Sequence, residues 1–239
     1  MQSAINQSCV NTEIIVSDSF SSTNPKTLVN KLDNSRIKFY RNSENLGPFR
    51  NVMNAFSNTT DKYVACLFDD YMWSHDYLSK MVNILEKYSG IVIAFCDHYV
   101  IDKNDSINHK KTEECSSYYD RKVLSQGIYK TFHELAILPQ SVSPALAAVM
   151  VRDAINWDAI SSEVDTVWDT YLAYLYSSTR KSAYYLPERL TYSRDHNQTI
   201  TRQSGSQKTS LKLSKAESEI FCCKIYLSDK KLSSLNSHF

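Results

Sequence analysis

Tyr63-Val64-Ala65-Cys66-Leu67-Phe68 is an apolar run that stops at Asp69-Asp70. Two adjacent carboxylates repel each other unless solvent or a cation relieves them. Placed at the end of a buried strand, such a pair suits oxygen ligation of a hard divalent ion. A second apolar run, Glu13-Ile14-Ile15-Val16-Ser17, ends at Asp18. Aspartate often opens turns and caps helices after strands, and for Asp18 alone that reading suffices. Farther along, the stretch from Val164 to Tyr176 mixes aromatic residues with Asp165 and Asp169. On its own, Asp169 reads as a helix-surface or capping carboxylate.

The chain has 4 glycines and lacks both a G-x-x-x-x-G-K phosphate loop and a G-x-G-x-x-G fingerprint. A nucleotide, if bound, must be held another way, and a carboxylate-bound metal is the direct route. No two of the 6 cysteines form a C-x-x-C pair, which argues against a zinc ribbon. Cys66 and Cys96 fall inside apolar runs and read as small buried hydrophobes. No secretion signal is visible near Met1, so reduced thiols and a cytoplasmic location are the simplest account.

The elements that must position these residues alternate in type. Strands are expected at Glu13–Ser17, Ile37–Tyr40, Tyr63–Phe68 and Ile91–Cys96. Helices are expected at Pro25–Lys31, Arg50–Phe56 and His75–Tyr88, the last with an apolar stripe at Tyr77, Leu78, Met81, Val82 and Leu85. Asn45-Leu46-Gly47-Pro48 is turn chemistry. Ser143–Val151 fits a strand or a buried helix, and Ala183–Leu190 fits a strand. Lys103–Gln126 is polar and reads as a surface excursion. This alternation predicts an α/β fold with a mixed, mostly parallel sheet flanked by helices. Ligands in such sheets gather beyond the carboxyl ends of the strands, where Asp18 and Asp69-Asp70 fall.

The 239 residues fit one α/β domain with at most a small appendage. Hydrophobic residues at 42% can build a core, which excludes disorder throughout. With 27 basic and 26 acidic residues, the net charge of +1 gives no whole-chain attraction to nucleic acid or anionic lipid. No apolar run is long enough to span a membrane. The division expected is a domain over residues 1–205 and a tail over residues 206–239. In the tail, Leu213, Ala216, Ile220, Cys223 and Leu227 recur at helical steps beside Lys208, Lys212, Lys215 and Lys224. That is an amphipathic helix, suited to packing on the domain first, and to a homodimer or peripheral membrane contact otherwise.

Taken in order, Glu13–Asp18, Arg36–Tyr40, Asn45-Leu46-Gly47 with Arg50-Asn51, and Tyr63–Trp73 resemble the motifs of family 2 glycosyltransferases. Trp168-Asp169, Leu186-Pro187-Glu188 and Tyr192–His196 resemble the acceptor half of the same family. The resemblance implies a GT-A fold and a metal-dependent, inverting transfer of sugar from a nucleotide-sugar donor, with Mn or Mg as cofactor. It implies a glycan or lipid-linked acceptor in surface polysaccharide synthesis, at the inner face of the cytoplasmic membrane. Asp70 then corresponds to the metal carboxylate, with Asp69 beside it facing ribose or metal, and Asp18 to a nucleotide-side carboxylate. Asp169 corresponds to the general base. Arg50 and His196 match positions that approach the phosphates, and His196 counts among the metal-site residues.

The chain departs from the family pattern in four places. The family's first strand and its Pro-Thr-Tyr-Asn turn do not precede Met1–Ser8, so an N-terminally shortened domain is expected. Ser19 stands where a second Asp is usual, Phe20 where Gly is usual, and Tyr71 where a third Asp is frequent. These departures leave a second reading open, a non-catalytic GT-A relative that binds a partner or glycan without turnover.

Overall fold

The computed structural model describes residues 1–160 and 168–195. In chain order it comprises α1 (Gln2–Ile5), β1 (Ile14–Asp18), α2 (Lys26–Asn30), β2 (Ile37–Arg41), α3 (Gly47–Ser57), β3 (Tyr63–Ala65), β4 (Tyr71–Trp73), α4 (Tyr77–Lys87) and β5 (Ile91–Ile101). There follow α5 (His109–Tyr118), β6 (Gly127–Lys130), α6 (His133–Ile137), β7 (Ala148–Val151), α7 (Trp168–Ser178) and β8 (Ser182–Arg194). Expected His196 and the tail over 206–239 lie outside the described residues.

β1 and β2 pair in parallel as a two-stranded sheet. The larger sheet runs β3-β7-β5-β8-β4, with β6 also on β8. The mixed, helix-flanked α/β class is as expected, but parallel pairs are fewer than the alternation of elements suggested. Only β1–β2 and β5–β8 are parallel among the described strands, whereas β3–β7, β5–β7, β4–β8 and β6–β8 are antiparallel. Each strand after β5 follows a helix, but the connections into β6 and β7 do not return the chain parallel to its new neighbour. β6 and β7 enter the sheet against the direction of their neighbours, and β4 pairs antiparallel with β8 at the opposite edge from β3.

β5 is buried almost end to end, which explains its continuous apolar run. Phe95 and Ile93 contribute to a cluster with Phe49, Val52 and Phe56 of α3, Ile137 of α6, and Trp168 and Leu172 of α7. Ala94 and Cys96 contribute to a second cluster with Tyr77, Met81 and Leu85 of α4. The three α4 residues follow the i, i+4, i+8 spacing that places them on one stripe. Burying a side chain of the size of Met81 contributes roughly 1.5–3 kcal/mol. Asp76, before α4, makes no capping bond through its own side chain. The buried Gln7 supplies one instead, its Oε1 accepting from Leu78 N at 2.9 Å while its Nε2 donates to Ser74 O at 2.7 Å.

Lys103–Gln126 is more than a surface excursion. It contains α5, capped by Asn108 Oδ1 accepting from Lys111 N at 3.0 Å. The face of α5 turned to β5 is polar: Thr112 and Ser116 are fully buried, and Thr112 Oγ1 accepts from Val100 N at 3.0 Å. A helix buried through hydroxyls leaves no apolar stripe, which is why its sequence looks like a loop.

Candidate active site

The ladder between β3 and β7 stops at Ala65, so Cys66–Phe68 leave the sheet before Asp69-Asp70 make the turn into β4. Tyr71 N donates to Phe68 O at 3.1 Å and closes that turn. Asp69 is exposed and Asp70 half-buried. Phe68 packs edge-on against Tyr71, with ring centroids 5.6 Å apart, and against Trp168 at 5.9 Å. Trp168 is the first residue of α7, so this aromatic contact sets the start of α7, with Asp169 next, against Phe68 before the carboxylate turn. Two regions about 100 residues apart in sequence thereby meet, through packing that separates neither from solvent entirely.

The Asp169 carboxylate accepts from Thr170 N at 2.8 Å. Burial pushes its pKa above the ordinary carboxylate range, against the opposing effect of that bond and of its own backbone N–H. The Asp169 charge acts on Cys66, Tyr71 and Tyr119, and Asp70 acts on Tyr71 as well. Tyr71 therefore feels both Asp70 and Asp169, and Tyr119 feels Asp169. Burial raises the Cys66 thiol to about 12, so it stays protonated and serves packing rather than chemistry. The same holds for the fully buried Cys96.

Asp18 ends β1 and is buried. Its Oδ1 accepts from Ser21 N at 3.1 Å and from Ser21 Oγ, and its Oδ2 lies 3.3 Å from Arg41 Nη1. Neither of the last two atoms has a hydrogen-bond partner, so the ion pair is held by charge rather than by an aligned bond. Ser19 joins the strand end to the Asn45 turn. Its Oγ donates to Asn45 Oδ1 at 3.1 Å and accepts from Leu46 N at 3.0 Å. Gly47 at φ +73° then opens α3, a conformation for which the absent Cβ matters. Arg50 is exposed in the first turn of α3. α3 follows β2 and packs beside β1, so its amino end lies near the carboxyl ends of this parallel pair. Asp18 and the amino end of α3, with Arg50 in its first turn, therefore lie at the same end of the β1–β2 pair.

Among the described residues, no three His, Cys, Asp or Glu side chains gather as a metal cage. Asp69 and Asp70 supply two adjacent carboxylates, which fits Mg or Mn bound through one or two protein oxygens plus phosphates and waters.

Beneath the site lies a charged network that the sequence did not announce. Pro187 and Glu188 sit at an irregularity of the β5–β8 register, where Cys96 faces Leu186 but Asp97 faces Arg189. Proline tolerates such a bulge because it has no N–H to donate. Asp97 Oδ2 then accepts from Ser116 Oγ at 2.6 Å and Arg189 Nε at 3.2 Å. Arg121, fully buried, donates from Nη1 to His98 Nδ1 at 2.8 Å and from Nε to Ser141 O at 2.9 Å, with Asp97 Oδ1 3.4 Å from Nη1. Its guanidinium carbon lies 5.1 Å from the centre of the Tyr119 ring, so the network reaches the Asp169 neighbourhood through a cation–π contact.

Burial, reinforced by the Arg121 charge, holds the His98 imidazole far below its usual pKa despite Asp97. The unfolded chain takes up a proton on this histidine below about pH 6.5, whereas the folded chain resists. Stability contributed by neutral His98 is therefore present above that pH and lost progressively as pH falls. The urea midpoint is expected to drop between pH 7.5 and pH 5, and the drop to shrink in His98→Gln. An equal drop in the variant would contradict this assignment.

The helix-flanked mixed sheet matches the fold of GT-A glycosyltransferases. The chain belongs to glycosyl transferase family 2, whose profile matches residues 1–146. Among solved structures, it is similar to Staphylococcus aureus TarS 1–349 in complex with UDP, with a TM-score of 0.61 and 14% identity over 82% of this chain and 55% of that one. It is also similar to a longer S. aureus TarS chain, with a TM-score of 0.63 and 12% identity over 82% of this chain and 34% of that one. The chain spans about half or less of the length of these structures. Comparison with curated proteins gives no match.

Sequence reasoning missed Tyr119 and Arg121, because they sit in a segment that reads as polar surface. It also missed Asp97, His98 and Arg189, whose partners come from three separate elements. The Tyr118-Tyr119 pair beside Arg121 was the one available signal, aromatic rings in a stretch otherwise poor in them.

Proposed function

We propose that the chain transfers a sugar, with inversion, from a nucleoside-diphosphate donor to a hydroxyl of a glycan or lipid-linked acceptor in surface polysaccharide synthesis. Residues 1–205 constitute the transferase domain in this reading, on the cytoplasmic side of the membrane, with 206–239 as an amphipathic appendage. The observation that carries it is the packing of Phe68 on Trp168 and Tyr71, with Asp70 and Asp169 both acting on Tyr71. Family membership and the UDP bound by the TarS structure support the donor class.

Asp70 and Asp69 would hold Mg or Mn, which would supply positive charge where the departing diphosphate becomes more negative. Arg50, exposed at the amino end of α3, faces the same phosphates. Asp18 anchors the nucleoside side. Asp169 accepts the proton of the acceptor hydroxyl as that oxygen attacks the anomeric carbon and the sugar–phosphate bond breaks. Its raised pKa makes it a better base than an exposed aspartate. His196, just beyond the described residues, belongs with the metal-phosphate side. The preceding segment is fixed, with Arg194 donating to Asp102 O and Asp195 paired with Lys111.

Calorimetry with UDP and Mn tests the donor side. Asp70→Asn is expected to reduce metal-dependent UDP affinity at least tenfold with the fold intact. Equal affinity in parent and variant, or binding indifferent to metal, would remove Asp70 from the metal site.

A further inference from the structure

Phe20 bears two costs that the fold itself does not recover. Its backbone is in the left-handed region at φ +61°, which disfavours a residue with a bulky side chain. Its ring is 51% exposed and belongs to neither core cluster. An outlier of this kind points to a use outside the fold's own stability.

The surroundings give that use a direction. Phe20 directly follows the strand end that carries Asp18 and Ser19. The Arg41 guanidinium lies over the Phe20 ring, its central carbon 5.0 Å from the ring centre. Arg41 is itself fixed, with Nη2 donating to Ser21 O at 2.8 Å and Nη1 3.3 Å from buried Asp18 Oδ2. A ring covered on one face by an anchored cation and half exposed overall presents its other face outward. Such a flat, immobilised aromatic surface stacks well with another flat π system.

We infer that Phe20, backed by Arg41, is the stacking surface for the nucleobase of the donor. The inference rests on the proposed transferase reading, since it takes Asp18 as the nucleoside side. It deepens that reading by assigning base binding to a side chain at a position where the family usually has glycine. The strained backbone and exposed ring are then explained together, because both present the ring to the ligand. Arg41 acts as a positioning residue that holds the ring plane.

Stacking on one aromatic side chain is worth about five- to a hundredfold in affinity. UDP and inorganic pyrophosphate, each with Mn, serve as probes for parent, Phe20→Gly, Phe20→Leu and Phe20→Tyr proteins. Phe20→Gly is expected to weaken UDP by about that factor, to leave pyrophosphate unchanged, and to raise the melting temperature, because glycine accepts the left-handed backbone freely. Phe20→Leu keeps the strain and bulk but lacks a π face, so it should weaken UDP without raising the melting temperature. Phe20→Tyr should bind as the parent does. If the parent binds both probes and Phe20→Gly binds UDP equally well, or loses both probes together, the stacking inference fails alone. A parent that binds neither probe overturns the transferase reading and this inference with it.

Discussion

Asp169→Asn is expected to lower kcat by about 10²–10⁴-fold, the usual worth of general-base assistance, with metal-dependent UDP binding unchanged. The amide is nearly isosteric and can still accept from Thr170 N through its oxygen, so the amino end of α7 should stay in place. What is lost is the capacity to take a proton. The same assignment fixes the sign of the pH dependence. Burial raises the Asp169 pKa, so the ionised, active form is depleted as pH falls, and the acid limb of kcat should lie above the ordinary carboxylate value of about 3.9. Raising the pH above that limb restores the base. A variant that turns over like the parent, or one that loses UDP affinity as well as rate, contradicts the role given to Asp169.

Arg121→Ala is expected to be the most destabilising single change in the described part of the molecule. Its guanidinium is fully buried between Asp97, His98 and Ser141 O. Removal leaves Asp97 buried with Arg189 as its remaining cationic partner. Breaking one partner out of a buried charged group costs about 3–5 kcal/mol, which is a large part of the roughly 5–15 kcal/mol that holds a domain folded. Chemical denaturation followed by circular dichroism measures this directly. Asp97→Asn should cost less, since the Ser116 and Arg189 bonds can persist to an amide oxygen. A loss under about 1 kcal/mol for Arg121→Ala would show that the network relaxes or hydrates, and would weaken the view that it supports Tyr119.

The parts of this fold that were legible were those whose chemistry is local. The apolar stripe of α4, the runs that became β1, β2 and β5, and the Asn45-Leu46-Gly47 turn all carry their signal within a few residues. The packing of the start of α7 against Phe68, with Asp169 and Asp70 both acting on Tyr71, was foreseeable only through a family resemblance, because Trp168 comes from a segment distant from Phe68 and Tyr71. α5 escaped because its buried face is made of Thr112 and Ser116, and hydropathy cannot distinguish a buried hydroxyl from an exposed one. The scarcity of parallel pairs escaped for a similar reason, since periodicity identifies a strand without giving its direction. Arg121 lies at the limit of sequence reading. A lone arginine in a polar stretch is ordinarily solvated, and its burying partners, Asp97, His98, Ser141 O and the Tyr119 ring, come from separate segments.

Diffraction at the manganese absorption edge, from crystals grown with UDP and Mn, examines the heart of this account in one experiment. The account predicts a single strong anomalous peak within bonding distance of Asp70, with the diphosphate beside it and Asp169 across the same cleft. A peak bound elsewhere, or a diphosphate walled off from Asp169 by Phe68 and Trp168, would contradict it.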